Sequence, residues 1–103
     1  MSTFYKKERI VLFYGSASRD YEHARDIDIM IIHSKKEFKE VYAQVRDKQK
    51  ILLKKLHAIQ ATKDDLMRNL KDKNKAMVEI IRTAIVLHGY DDYMEIINGF
   101  ATF

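Results

Sequence analysis

Ile10-Val11-Leu12-Phe13-Tyr14-Gly15-Ser16, followed nine residues later by Asp26-Ile27-Asp28-Ile29-Met30-Ile31-Ile32, is the stretch on which the fold turns. The first run is apolar, rich in β-branched and aromatic side chains, and stops at Gly15-Ser16, which predicts a buried strand from about residue 9 to 14. The second has Ile at alternate positions and predicts a strand over residues 26 to 32. A period of two sends Ile27, Ile29 and Ile31 to one face and Asp26, Asp28, Met30 and Ile32 to the other. Two carboxylates therefore share a face of an oily strand. Burying one of them unpaired would cost several kcal/mol, so a metal or a base such as Arg19 or Arg25 is expected beside Asp28.

Working outward, Ser34-Lys35-Lys36-Glu37 has the capping-box pattern, and Phe38, Val41, Tyr42 and Val45 follow at helical spacing. This predicts a helix over about residues 35 to 48 that covers the Ile face of the sheet. Between Leu52 and Ala61 lies a third strand candidate, centred on Lys54 to Gln60, and Thr62-Lys63-Asp64-Asp65 then caps a short helix reaching about Leu70. Asn74 caps a further helix carrying Met77, Val78, Ile80 and Ile81. The run Ala84 to Leu87 either continues that helix or forms a short strand that ends at Gly89. Asp91 or Asp92 caps a last helix, with Met94, Ile96 and Ile97 buried, that stops near Gly99. Met67, Met77 and Met94, with Phe38 and Tyr42, read as core; Phe100 and Phe103 read as docking on the domain or on a partner. Strands interleaved with helices predict an α/β (α+β) layer fold, a mixed sheet backed by helices, in a single domain over residues 1–103.

Composition bounds the function classes. The chain has 103 residues, no Cys, no Pro and no Trp, which excludes disulfide scaffolds, thiolate metal sites and Cys nucleophiles. No apolar run approaches the roughly 18 to 20 residues of a membrane span, and Met1-Ser2-Thr3-Phe4 lacks a signal-peptide pattern, so a soluble, cytoplasmic protein with no membrane contact is expected. Lys and Arg outnumber Asp and Glu by 19 to 15, a formal +4, with much of the excess between Lys35 and Lys75. Such a balance suits either solvated helix faces or a basic nucleic-acid-binding module. His23, His33 and His88 sit in a polar loop or at element ends, where an exposed or capping imidazole is the default, and the histidines form no zinc pattern.

Chemistry is carried by the combination. Gly15 permits a tight turn and the approach of a bulky anion, and Ser16 with the backbone N–H groups that follow can donate to phosphate oxygens. Asp26 and Asp28 offer hard oxygen ligands to Mg²⁺, which is held by few carboxylates together with substrate phosphates. Phe13-Tyr14-Gly15-Ser16 with Arg25-Asp26-Ile27-Asp28-Ile29, and the later Ile80-Ile81-Arg82-Thr83-Ala84-Ile85-Val86-Leu87-His88-Gly89, resemble the minimal nucleotidyltransferases of the DNA polymerase β superfamily over about residues 9 to 97. The resemblance implies a nucleoside triphosphate, ATP above all, beside Gly15, Ser16 and Arg19, with Mg²⁺ on Asp26 and Asp28. It implies transfer of a nucleoside monophosphate to a hydroxyl, and a HEPN-type helical partner in a toxin–antitoxin pair.

The chain departs from that pattern at three places. The family's third carboxylate falls where His57 stands here, an imidazole that binds Mg²⁺ poorly but serves as a base; Asp47, Asp64 or Asp65 replaces it only if the third strand lies elsewhere. The loop Ala17 to Ala24 keeps one Arg, Arg19, and adds Asp20 and Glu22, which weaken phosphate attraction. Eight residues precede the first strand, so apolar surface is expected to be left open there, and self-association through that surface or through a strand edge is expected of so small a sheet. A catalytically impaired, antitoxin-like binding subunit of the same fold is the alternative to an active enzyme.

Overall fold

The computed structural model describes residues 1–99. After a 3₁₀ turn over Ser2–Phe4 the order is β1 (Ile10–Tyr14), α1 (Ser16–Arg19), β2 (Asp26–Ile32), a 3₁₀ turn (Lys35–Glu37) running into α2 (Phe38–Gln49), β3 (Lys55–Ala61), α3 (Lys63–Lys71), α4 (Lys75–Thr83), β4 (Ile85–His88) and α5 (Tyr90–Asn98). The four strands form one mixed sheet in the order β3-β2-β1-β4, with β2 and β3 parallel and β1 antiparallel to both β2 and β4. No helix among the described residues is long and apolar enough to cross a membrane.

The alternation in β2 makes two cores. On one face Ile27, Ile29 and Ile31 pack with Val11, Leu56 and Phe4 beneath Val41 and Val45 of α2. On the other, Met30 and Ile32 pack with Ile10, Leu12, Leu66, Leu70, Met77 and Tyr93, beneath α3, α4 and α5. Chain direction explains the two layers, since α2 leaves β2 toward one face and α3 leaves β3 toward the other.

Local rules set most boundaries. The capping box at Ser34 is formed, with Glu37 Oε2 accepting from the Ser34 N–H at 3.1 Å, and Thr62 and Asp65 form a second one before α3. Asn74 caps α4 by accepting from the Met77 N–H at 2.9 Å. The last helix is different: Gly89, at φ 80°, is its N-cap, and Asp91 and Asp92 lie in its first turn, where they complement the helix dipole instead of capping it. Ala84 to Leu87 resolves in favour of a strand, because β1 presents an open edge to which Ile85 and Val86 pair.

Several expectations about burial are corrected. Phe38, Tyr42 and Met67 are exposed, because the ridges of α2 and α3 that face the sheet are Val41–Val45 and Leu66–Leu70. His33 is buried, with Nδ1 2.7 Å from the Ser34 carbonyl and Nε2 2.7 Å from Gln60 Oε1. Phe4 is fully buried against the α2 face, while apolar surface does stay open near the N-terminus, in a cleft of about 350 Å³ whose lining includes Met1, Tyr5, Phe13, Ile27, Leu52 and Leu87. Phe100 and Phe103 lie outside the described residues.

The end of the sheet at the start of β1 and the end of β2 is held by Arg9, which is 1% exposed. Its Nε donates to Glu37 Oε1 at 2.8 Å, and its Nη1 donates to Gln44 Oε1 at 3.0 Å and to the Phe4 carbonyl at 3.3 Å. Nη2 is 3.4 Å from Glu40 but outside hydrogen-bonding geometry. Burial pushes the Glu37 carboxyl up, but the Ser34 N–H and hydroxyl and the Arg9 guanidinium outweigh it and hold Glu37 at about 2.

Candidate active site at the open end of the sheet

Strand register brings the candidate residues together. Asp28 pairs with Tyr14 on one side and with His57 on the other, and Asp26 pairs with Lys55, so Tyr14, Asp28 and His57 form one rung on one face. The two carboxylates converge on the imidazole: His57 Nδ1 is 3.4 Å from Asp28 Oδ1 and 3.8 Å from Asp26 Oδ2. Among the described residues His57 is the base paired with Asp28, and neither Arg19 nor Arg25 forms an ion pair with it. The side chains of Asp26, Asp28 and His57 are 42%, 27% and 45% exposed, so solvent and a ligand reach all three.

Gly15 is pressed against this rung. It lies at φ 77°, a backbone that side-chain-bearing residues rarely adopt, and a Cβ there would overlap the Asp28 carboxylate. It caps α1, whose first amides, Ser16 and Ala17, have no preceding turn of helix to bond to. The Gly15 carbonyl accepts from Ser18, at 2.6 Å from Oγ and 3.2 Å from the N–H, which fixes the turn.

An open cleft of about 460 Å³ is lined by Ser16, Asp20, His23, Ala24, Arg25, Asp26 and Asp28. Lys54 ties down its outer wall, donating from Nζ to the Ala24 carbonyl at 2.6 Å and sitting 4.6 Å from the centre of the Tyr21 ring. His23 and Asp20 pair at 2.8 Å on the surface of that loop. Arg19 ends α1, is exposed, and is not among the residues lining the cleft, whereas Arg25 is.

No family model matches the chain, and neither a curated protein nor a solved structure matches it. What the cleft can do is read from its own side chains.

Asp47 lies on α2 and Asp64 and Asp65 in the first turn of α3, so His57 is the residue that stands beside the acid pair on β3. Among the described residues no group of three or more His, Cys, Asp and Glu is arranged to hold a metal ion by itself. Two carboxylate donors beside an anion-sized opening nevertheless suit Mg²⁺, which takes one or two protein carboxylates and completes its shell with water and phosphate oxygens. Sequence reasoning missed Tyr14. It is half-buried beside Asp28, and burial first, with the Asp28 charge second, pushes its phenol above its usual range. Its parity with Leu12 was the signal, but only the pairing of β1 with β2 puts it beside the acid. Lys54, which anchors the loop, carried no signal in a basic stretch.

Proposed function

We propose that the chain is a Mg²⁺-dependent nucleotidyltransferase of the minimal type, moving a nucleoside monophosphate, AMP from ATP, to a hydroxyl acceptor as the α–β phosphoanhydride bond breaks and pyrophosphate leaves. The observation that carries this reading is the contact of a left-handed Gly15 with Asp28 while Asp26 and His57 converge on the same rung. An ordinary turn glycine has no reason to sit on a carboxylate. The missing Cβ makes room for the Asp28 carboxylate itself, which sets the acid directly against the turn whose following amides can meet phosphate oxygens.

In this reading Asp26 and Asp28 would hold Mg²⁺, which when bound supplies charge neutralisation on the triphosphate. Gly15 and the amides of Ser16 and Ala17 orient the phosphates, and Arg25 on the cleft wall adds positive charge. His57 accepts the proton of the attacking hydroxyl at Nε2, while its Nδ1 faces both acids and is oriented by them. A helical HEPN-type protein is the proposed acceptor and partner.

The test is transfer of label from ATP, in the presence of Mg²⁺, to any macromolecule of a cell lysate. Wild type should label a product. Asp28→Asn should lose more than the roughly 10- to 100-fold that follows loss of an outer-sphere metal partner, with an unchanged circular dichroism spectrum. Labelling that survives Asp28→Asn overturns the assignment. One observation favours a second reading, an inactive binding subunit: the His57 ring stands against both carboxylates, at 3.4 and 3.8 Å, where a metal ion would otherwise approach them. That reading expects Asp26→Asn with Asp28→Asn to leave partner binding intact and wild type to turn over no nucleotide.

A further inference from the structure

The chain treats the two edges of its sheet differently. At the β4 edge the His88 side chain is engaged, with Nε2 2.9 Å from the Lys6 carbonyl and its ring stacked on Tyr5 at 4.9 Å, and Ile85 is exposed. The outer edge of β3 has no neighbouring strand among the described residues. A side chain fills its first rung: Gln49 Nε2 donates to the Lys54 carbonyl at 3.0 Å, and Gln49 Oε1 accepts from the Leu56 N–H at 2.7 Å. These are the two bonds that a residue of a parallel neighbour opposite Lys55 would make.

Outward-facing backbone groups alternate along a strand, so beyond Leu56 they belong to Ala58 and Gln60. The Ala61 carbonyl turns inward to the His33 N–H at 2.9 Å, and the Thr62 N–H is taken by Asp65. The open stretch is therefore Ala58 to Gln60, and the residue at its centre, Ile59, is 45% exposed. Natural edges are blunted by Lys, Pro or inward-pointing charge. From Leu56 to Thr62 there is no Lys, Arg, Asp, Glu or Pro, in a chain of which 33% is charged.

We propose that this edge is a dimer interface, in which β3 pairs antiparallel with β3 of a second copy about a two-fold axis at Ile59 and joins the two sheets into one. The register follows from the free groups. Pairing about Ile59 sets Ala58 opposite Gln60 of the other copy, and Gln60 opposite Ala58, so both rungs are used and Gln49 stays in place. An axis at Ala58 would set Leu56 against Gln60 and strip the Leu56 N–H from Gln49. Ile59 meets its own copy at the non-hydrogen-bonded position, where β-branched pairs pack closest.

A chain without cysteine gives a direct readout. Facing Cα atoms at a non-hydrogen-bonded pair lie about 4.5 Å apart, within disulfide reach. Ile59→Cys under mild oxidation is expected to run as a covalent dimer on a non-reducing gel, and Ala61→Cys, which lies off the axis opposite His57, is not. In sedimentation velocity at micromolar concentration, wild type and Ile85→Lys, altered on the β4 edge, should be dimeric. Ile59→Lys should be monomeric with an unchanged circular dichroism spectrum. A monomeric wild type, a dimer that survives Ile59→Lys, or cross-linking of Ala61→Cys as fast as Ile59→Cys overturns the proposal. So does a monomer whose β3 edge takes up an extended peptide of another protein.

Discussion

Asp28 and Met30 are neighbours on one face of one strand, in opposite surroundings. Met30 is 1% exposed beneath the helices of the second layer, while Asp28 stands at an open cleft beside Gly15 and His57. The closed end of that face is finished by Ile32, with Arg9 and Glu37 stapling the margin of the sheet, and the open end by Asp26 and the loop that Lys54 holds. The same alternation serves both ends. Burial is decided by where α3, α4 and α5 stop, so one strand can be core at one end and chemistry at the other.

This contrast can be broken most strongly at its closed end. Met30→Ala should cost about 2–5 kcal/mol in urea unfolding, because it opens a cavity among Leu12, Leu66 and Leu70. If Met30→Ala costs no more than Asp28→Asn, the two ends are not different environments. Gly15→Ala tests their boundary. A left-handed backbone carrying a side chain costs about 1–3 kcal/mol, and the new Cβ must displace the Asp28 carboxylate. A modest loss of stability with a disproportionate loss of transfer is the expected outcome in paired unfolding and labelling assays.

The smallest effect concerns the staple. Glu37 is held at about 2, below its ordinary value of 4.5, so its contribution is fully present above about pH 4.5 and is lost as pH falls toward 2. Thermal melts across that window should show wild type losing more stability than Glu37→Gln. Above pH 5 Glu37→Gln should be the less stable of the two, since the buried Arg9 keeps fewer charged partners. Parallel curves would show that the closed end does not depend on this pair.

Much of the contrast was legible in the sequence, for stated reasons. The bounds of β2, the face shared by Asp26 and Asp28, and the cover of α2 over Ile27, Ile29 and Ile31 follow from periods of two and of 3.6. The capping boxes at Ser34 and Thr62 are local and equally readable. What pairing decides was not. Ala84 to Leu87 is too short an apolar run to separate helix from strand, and only the free side of β1 selects the strand. Tyr14 beside Asp28 and His33 buried against Gln60 depend on register between strands that no spacing announces. Phe38 and Tyr42 share an i, i+4 stripe as good as that of Val41 and Val45, and the docking angle of α2 chose between them.

The nearness of Gly15 to Asp28 has a consequence for the order in which the molecule is made. Gly15 directly follows β1 and Asp28 lies on β2, adjacent antiparallel strands joined by the short connection from Gly15 to Arg25, so their meeting closes a small loop and costs little chain entropy. The last strand of the sheet, β4, must return from the far end of the sequence to join the same β1. A nascent chain can therefore build the glycine-and-acid corner soon after its first third leaves the ribosome, well before the sheet is complete.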